Sequence, residues 1–239
     1  AVRWLPDGKA LVVGTLAGGI RLWPLGGTPV DFETSHPEPV QALAVLPDGE
    51  RLVSADALGN VWLWDIPARK RIENGWPAAD AAIDIAAVSH DGTKLLVAGN
   101  GGTAFVYDVA APGEPLRIDF GSRQVDGAAW SPDDGRIAAV DTEGNLKVFS
   151  LAEERLVLDV RVYGGGAGAP DGEEEGGHLR RMRWLPDGDR VAIATAAGEV
   201  VIMTLDEAAW LARARSVFGL AAPAEQSAPA GDAGVPGQP

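Results

Sequence analysis

Residues 45–64 read VLPDGERLVSADALGNVWLW, and this stretch decides the fold. An apolar residue, Val45, precedes a Pro-Asp-Gly turn, a second apolar residue follows at Leu52, a glycine at Gly59 and a large apolar residue at Trp64. Short β-rich runs separated by turn signals of this kind are typical of strand, turn, strand, turn and strand. The stretch therefore predicts a small antiparallel unit of three strands.

The same pattern recurs five times along the chain. The first apolar positions, which we call the first-strand anchors, are Trp4, Val45, Val88, Trp130 and Trp184. The last positions, the third-strand anchors, lie 19 residues later in every copy and are Trp23, Trp64, Tyr107, Phe149 and Met203. Successive copies are 41, 43, 42 and 54 residues apart. A more variable extended run follows the first four copies, at residues 28–32, 70–72, 114–120 and 155–163.

Four strands in about 42 residues are the period and strand count of a propeller blade. We therefore predict an all-β fold, a β-propeller of four-stranded antiparallel blades over residues 1–204, with units starting near residues 1, 42, 85, 127 and 181. A single sheet cannot bury both of its faces, whereas blades stacked around an axis cover one another. The third-strand anchors are then predicted to lie between blades, where each fully buried side chain contributes about 1.5–3 kcal/mol.

These units resemble the WD-repeat family, whose third strand ends in Trp-Asp. Trp64-Asp65 matches that pair, Tyr107-Asp108 nearly matches it, and Ser35-His36 stands in the place of the family's Gly-His pair. The family often links the histidine, a strand serine, a turn aspartate and the tryptophan in a buried hydrogen-bonded tetrad. Because the position before each pattern glycine holds Ala17, Leu58, Gly101, Glu143 or Ala197, we expect no complete tetrad. The resemblance implies a non-catalytic platform that binds a protein or peptide partner.

The resemblance also bears on what surrounds the five units. Similar WD-repeat propellers usually close with seven blades, and the fifth unit has no fourth strand, so we expect an incomplete ring with about two blades N-terminal to Ala1. Helical spacing at 205–220 predicts a short helix, as at the end of bacterial multidomain WD-repeat proteins whose upstream signalling domain is an ATPase or a kinase. We expect residues 164–177 to form a flexible insertion and residues 221–239 a disordered tail.

Composition narrows the classes of partner. The formal net charge is −14, so we expect no binding to nucleic acid or to anionic membranes. The chain has no cysteine, which suits a reducing compartment, and we expect a cytoplasmic location. Its apolar runs are far shorter than a membrane span. The expectation is a monomeric propeller within a longer chain.

No set of residues is nominated for catalysis, a cofactor or a metal. Gly164, Gly166 and Ala169 imitate a dinucleotide-binding fingerprint, but an acidic run follows them where a helix should begin, which favours a loop. The three histidines, at 36, 90 and 178, have no zinc-ligand spacing. The alternative to a scaffold is an enzyme or small-ligand sensor at the central channel, for which the candidates are Asp56, Asp84, Asp126 and Asp141. Turn capping explains the same aspartates equally well.

Two features are candidates for partner binding. Trp76, beside a proline in a connection, is the best candidate for an exposed aromatic anchor. The acidic run of Glu173, Glu174 and Glu175 could bind a cation or a basic partner, and its alternative interpretation is a solvated loop. His36 is expected to make structural hydrogen bonds, and Trp62 to belong to the core.

Overall fold

A computed structural model describes residues 1–72, 76, 81–111, 113–162, 179–195 and 198–205. These residues form nineteen strands in five antiparallel sheets, and they contain no helix. The first blade comprises β1 (Val2–Trp4), β2 (Ala10–Gly14), β3 (Gly19–Pro24) and β4 (Val30–Ser35). The second comprises β5 (Val40–Val45), β6 (Arg51–Asp56), β7 (Val61–Asp65) and β8 (Lys70–Ile72).

The remaining three sheets repeat this plan. The third blade comprises β9 (Ile83–Val88), β10 (Lys94–Gly99), β11 (Thr103–Asp108) and β12 (Leu116–Asp119). The fourth comprises β13 (Val125–Trp130), β14 (Arg136–Asp141), β15 (Asn145–Ser150) and β16 (Arg155–Arg161). The fifth has three described strands, β17 (Leu179–Trp184), β18 (Arg190–Thr195) and β19 (Val200–Thr204). The predicted all-β architecture is confirmed.

The strand register explains why the repeat has fixed spacing. In the second blade Val45 pairs with Leu52, and Leu52 pairs with Trp64, so the three apolar positions of the pattern lie side by side across the sheet. The first, third and fourth blades show the same register, and in the fifth Trp184 pairs with Val191. A one-residue slip would turn each of these side chains to the opposite face.

Each pattern glycine is required by its backbone conformation. All five have positive φ, between 69° and 86°: Gly18, Gly59, Gly102, Gly144 and Gly198. At Gly18 a Cβ atom would also lie only 2.1 Å from the carbonyl oxygen of His36, in the connection to the second blade. Only glycine permits both the turn and this close approach of two backbone segments.

The core lies between blades, and the prediction that the third-strand anchors lie there is confirmed for Trp64, Tyr107 and Phe149 but is wrong for Trp23, which is exposed. Trp64 packs with Val12, Ile20 and Phe32 of the first blade and is fully buried. Tyr107 belongs to the cluster between the second and third blades, and Phe149 to the cluster between the third and fourth. Each of these third-strand anchors is thus covered by the preceding blade.

The two outer faces of the array are open. Trp23 and Trp4 of the first blade are 48% and 56% exposed, and Val200 and Ile202 of the fifth blade are 68% and 58% exposed. Met203, the third-strand anchor of the fifth blade, is half-buried. The fold is that of an incomplete propeller. The expected insertion at 164–177, the tail, and the expected helix from residue 206 onward lie outside the described residues.

Candidate functional site

The second blade contains a buried chain of hydrogen bonds through His36. The indole Nε1 of Trp64 donates to Ser54 Oγ at 2.7 Å, and that oxygen lies 2.6 Å from His36 Nε2. On the other side of the ring, His36 Nδ1 lies 3.1 Å from Asp56 Oδ2. A neutral imidazole protonated at Nδ1 satisfies all of these contacts, with Ser54 donating to Nε2.

The expectation that no tetrad is complete is therefore wrong. The carboxylate comes from Asp56 at the end of β6, two residues before Leu58, which precedes the pattern glycine. Asp56 Oδ1 also accepts backbone N–H bonds from Leu58 and Asn60, both at 2.9 Å. Asp141 caps the equivalent turn of the fourth blade, where it accepts from Glu143 and Asn145. Turn capping is thus the role of both aspartates, and Asp56 reaches His36 as well.

His36 is held by its surroundings in a structural role. Its ring stacks on Trp62 with 3.9 Å between centroids, and the guanidinium of Arg71 lies 3.9 Å from the Trp62 ring on a cation–π contact. Burial lowers the pKa of His36, and this outweighs the opposing effect of Asp56. The ring therefore stays neutral under conditions in which an exposed histidine would begin to protonate.

A cavity of about 410 Å³ lies on the inner side of the array, lined by β1, β5, β9, β13 and β17, the first strands of all five blades. Asp84 and Asp126 line this central channel, whereas Asp56 and Asp141 do not. Burial raises the pKa of Asp84. Among the described residues, no group of three or more histidines or carboxylates could hold a metal ion.

The family comparison agrees with this geometry. Residues 27–65 match the family model described as WD domain, G-beta repeat. This segment, which spans the last part of the first blade and most of the second, is similar to a single repeat of that family. The matched segment ends at Trp64-Asp65 and contains all four members of the tetrad, which explains why the second blade resembles the family most. No curated protein matches the sequence.

Trp76 is not an exposed anchor, contrary to the sequence prediction. It is 5% exposed, its Nε1 donates to the carbonyl oxygen of Asp108 at 2.9 Å, and its ring lies 5.9 Å from that of Tyr107. Trp76 therefore joins the second blade's outer connection to the third blade. Glu173, Glu174 and Glu175 lie outside the described residues.

Sequence reasoning missed an apolar surface on one end of the propeller. Leu16 and Leu58, in the turns between the second and third strands of the first two blades, are 86% and 60% exposed. The connection at Pro37 and Glu38, also exposed, lies between these turns. Val40 donates its N–H to Thr15 and Ala57 donates to Pro39, which ties the connection to both turns. We call Leu16, Pro37, Glu38 and Leu58 the leucine rim.

The described residues include no helix with the length and apolar character that a bilayer span requires.

Proposed function

We propose that this protein is a non-catalytic platform whose protein or peptide partner docks on the leucine rim. WD repeats generally act as protein-interaction scaffolds. The observation that carries the proposal is the exposure of two leucines, Leu16 and Leu58, on neighbouring turns at the same end of the propeller. Because exposed apolar side chains gain free energy when a partner covers them, a leucine pair on a rigid frame favours binding.

The tetrad makes the frame rigid. Asp56 caps the turn that carries Leu58, and His36 begins the connection that carries Pro37 and Glu38. A pre-shaped surface loses little conformational entropy when a partner binds. The polar neighbour Glu38 gives the apolar pair a charged edge, as protein interfaces commonly have.

The experiment compares a rim variant with a control variant at the opposite end of the propeller. L16D/L58D places two carboxylates on the rim, whereas L25D changes Leu25, 60% exposed in the turn between β3 and β4 at the opposite end. Proximity labelling in cells, followed by quantitative mass spectrometry, measures which neighbours each variant retains. We expect L16D/L58D to lose at least one neighbour that the wild type and L25D retain.

Identical neighbours for all three chains would overturn the proposal, provided that thermal unfolding shows both variants folded. A role as the sensor or regulatory part of a larger signalling protein, and a cytoplasmic location, rest on the family resemblance and on the absence of cysteine. The alternative function, a small-ligand sensor at the channel, is favoured by the three arginines that border the channel cavity.

A further inference from the structure

Three arginines border the central channel. Arg3 lies on β1, and Arg181 and Arg183 lie on β17, and all three side chains border the cavity. Most other cations of the described residues form ion pairs, such as Arg21 with Asp31, Arg51 with Asp48 and Arg190 with Asp187. In the described part of the chain, the three channel arginines form no ion pair.

This arrangement is unfavourable in the free protein. The pKa of Arg3 is lowered by burial and then by the positive charges of Arg183 and Arg181. The chain as a whole carries a net charge of −14, so these arginines form a local cationic patch on an acidic protein. A bound anion would offset their mutual repulsion.

Among the described residues, the guanidinium groups of this patch make few hydrogen bonds. Arg3 donates to the carbonyl oxygen of Val2 at 2.8 Å and Arg183 to that of Met182 at 3.4 Å. A guanidinium has five N–H donors, and two of them fit the oxygens of a carboxylate or phosphate side by side. The channel volume of about 410 Å³ lies in the range of small-ligand sites.

We propose that Arg3, Arg181 and Arg183 form an anion site that binds the carboxylate or phosphate group of a small ligand in the central channel. Asp84 and Asp126 border the same cavity from the third and fourth blades, and the strand of Asp126 packs beside that of Arg181 and Arg183, so the three arginines exceed the two carboxylates by one positive charge. The proposal does not depend on partner binding at the leucine rim.

Isothermal titration calorimetry tests the site with two probes, inorganic phosphate and succinate, which separate a phosphate ligand from a carboxylate ligand. The variant R3Q/R181Q/R183Q removes the charges and keeps polar side chains. The control R190Q removes an arginine of the same blade that pairs with Asp187 and does not line the cavity. We expect the triple variant to weaken binding of at least one probe about tenfold or more, as charge-assisted hydrogen bonds are lost, and R190Q to leave it unchanged.

Two outcomes would overturn the proposal. One is that neither probe binds the wild type, and the other is that the triple variant binds as tightly as the wild type. If the triple variant fails to fold, the single variant R3Q replaces it in the titration. This substitution removes only one hydrogen bond to a carbonyl oxygen and relieves the repulsion from the neighbouring arginines.

Discussion

The first and second blades carry the same pattern but bury it differently. Trp23 and Trp64 hold the same strand position, yet Trp23 is 48% exposed and Trp64 is not exposed at all. The first-strand anchors repeat this difference: Trp130 donates its indole N–H to the carbonyl oxygen of Ala87 in the preceding blade, whereas Trp4 is open to solvent. The pattern fixes where a side chain lies in its sheet, and the preceding blade determines whether that side chain is buried.

The open faces of the first and fifth blades are the two halves of a blade-to-blade interface. Trp4 and Trp23 belong to the face that a preceding blade covers elsewhere in the fold, and Val200 and Ile202 to the face that a following blade covers. A blade without a neighbour on one face thus leaves large apolar side chains in contact with solvent.

The largest effect is expected from Trp64. Trp64→Ala should lower the free energy of unfolding by about 3–5 kcal/mol, because it removes a fully buried indole and leaves a cavity. Trp23→Ala should cost less than half as much, since half of that side chain is already in water. Urea unfolding followed by circular dichroism measures both. Equal losses would mean that Trp23 is covered in this chain.

A smaller effect is expected from the tetrad aspartate. Asp56→Ala should cost about 2–4 kcal/mol, because it leaves His36 and the turn N–H groups without an acceptor in a buried setting. Asp141 caps the equivalent turn of the fourth blade, so Asp141→Ala is the matched control. It should lower the free energy of unfolding by about half as much. The two unfolding free energies decide the point, and a greater loss for Asp141→Ala would contradict a tetrad that stabilises the second blade.

The lowered pKa of His36 predicts a pH dependence. Because the folded state favours the neutral ring, the unfolded chain binds more protons once the pH falls below its ordinary pKa of 6.5. The contribution of neutral His36 is thus full above pH 6.5 and decreases as the pH falls toward the folded-state pKa. Urea midpoints at several pH values should decrease less steeply between pH 7 and pH 5 for His36→Gln than for the wild type. Parallel curves would show that His36 does not titrate between the two states.

The smallest change in the free energy of unfolding is expected at two turns that lack the usual Pro-Asp-Gly sequence. His90 replaces the turn proline of the third blade, and Asp134 takes the positive-φ place of the turn glycine in the fourth. The Asp134 carboxylate accepts the backbone N–H groups of His90 and Asp91, each at 2.9 Å, and lies 2.7 Å from His90 Nδ1. The two departures therefore form one link between blades.

Asp134→Gly should cost about 0.5–1 kcal/mol, because the lost hydrogen bonds are exposed and glycine relieves the left-handed backbone. His90→Pro alone removes one donor and the ring contact. Thermal unfolding of the two single variants and the double variant gives their coupling. Additive changes would show that the two residues do not form a link.

The sequence predicts what depends on local spacing. The 19-residue spacing of the anchors predicted the register of Trp64 with Leu52, because strands joined by short turns can pair in few ways. The tetrad could not be predicted from the position before the glycine, because Leu58 holds that position and the carboxylate comes from Asp56, at the end of the second strand. Trp76 looks exposed in sequence because its acceptor, the carbonyl of Asp108, lies 32 residues away.

The channel arginines could not be found from sequence for a related reason. Arg3 and Arg183 lie 180 residues apart and come together only because the first strand of every blade borders one axis. No local pattern encodes that convergence. The leucine rim has the same origin, since it joins turns of two different blades.

Hydrogen exchange of the eight indole N–H groups, followed by nuclear magnetic resonance, tests the stacking of blades most directly. Trp130 and Trp184 donate to the preceding blade, at Ala87 and Ala129, and Trp64 donates within its own blade. We predict slow exchange for these three indoles and fast exchange for Trp4 and Trp23. Fast exchange at Trp130 and Trp184, or protection of Trp23 equal to that of Trp64, would contradict it.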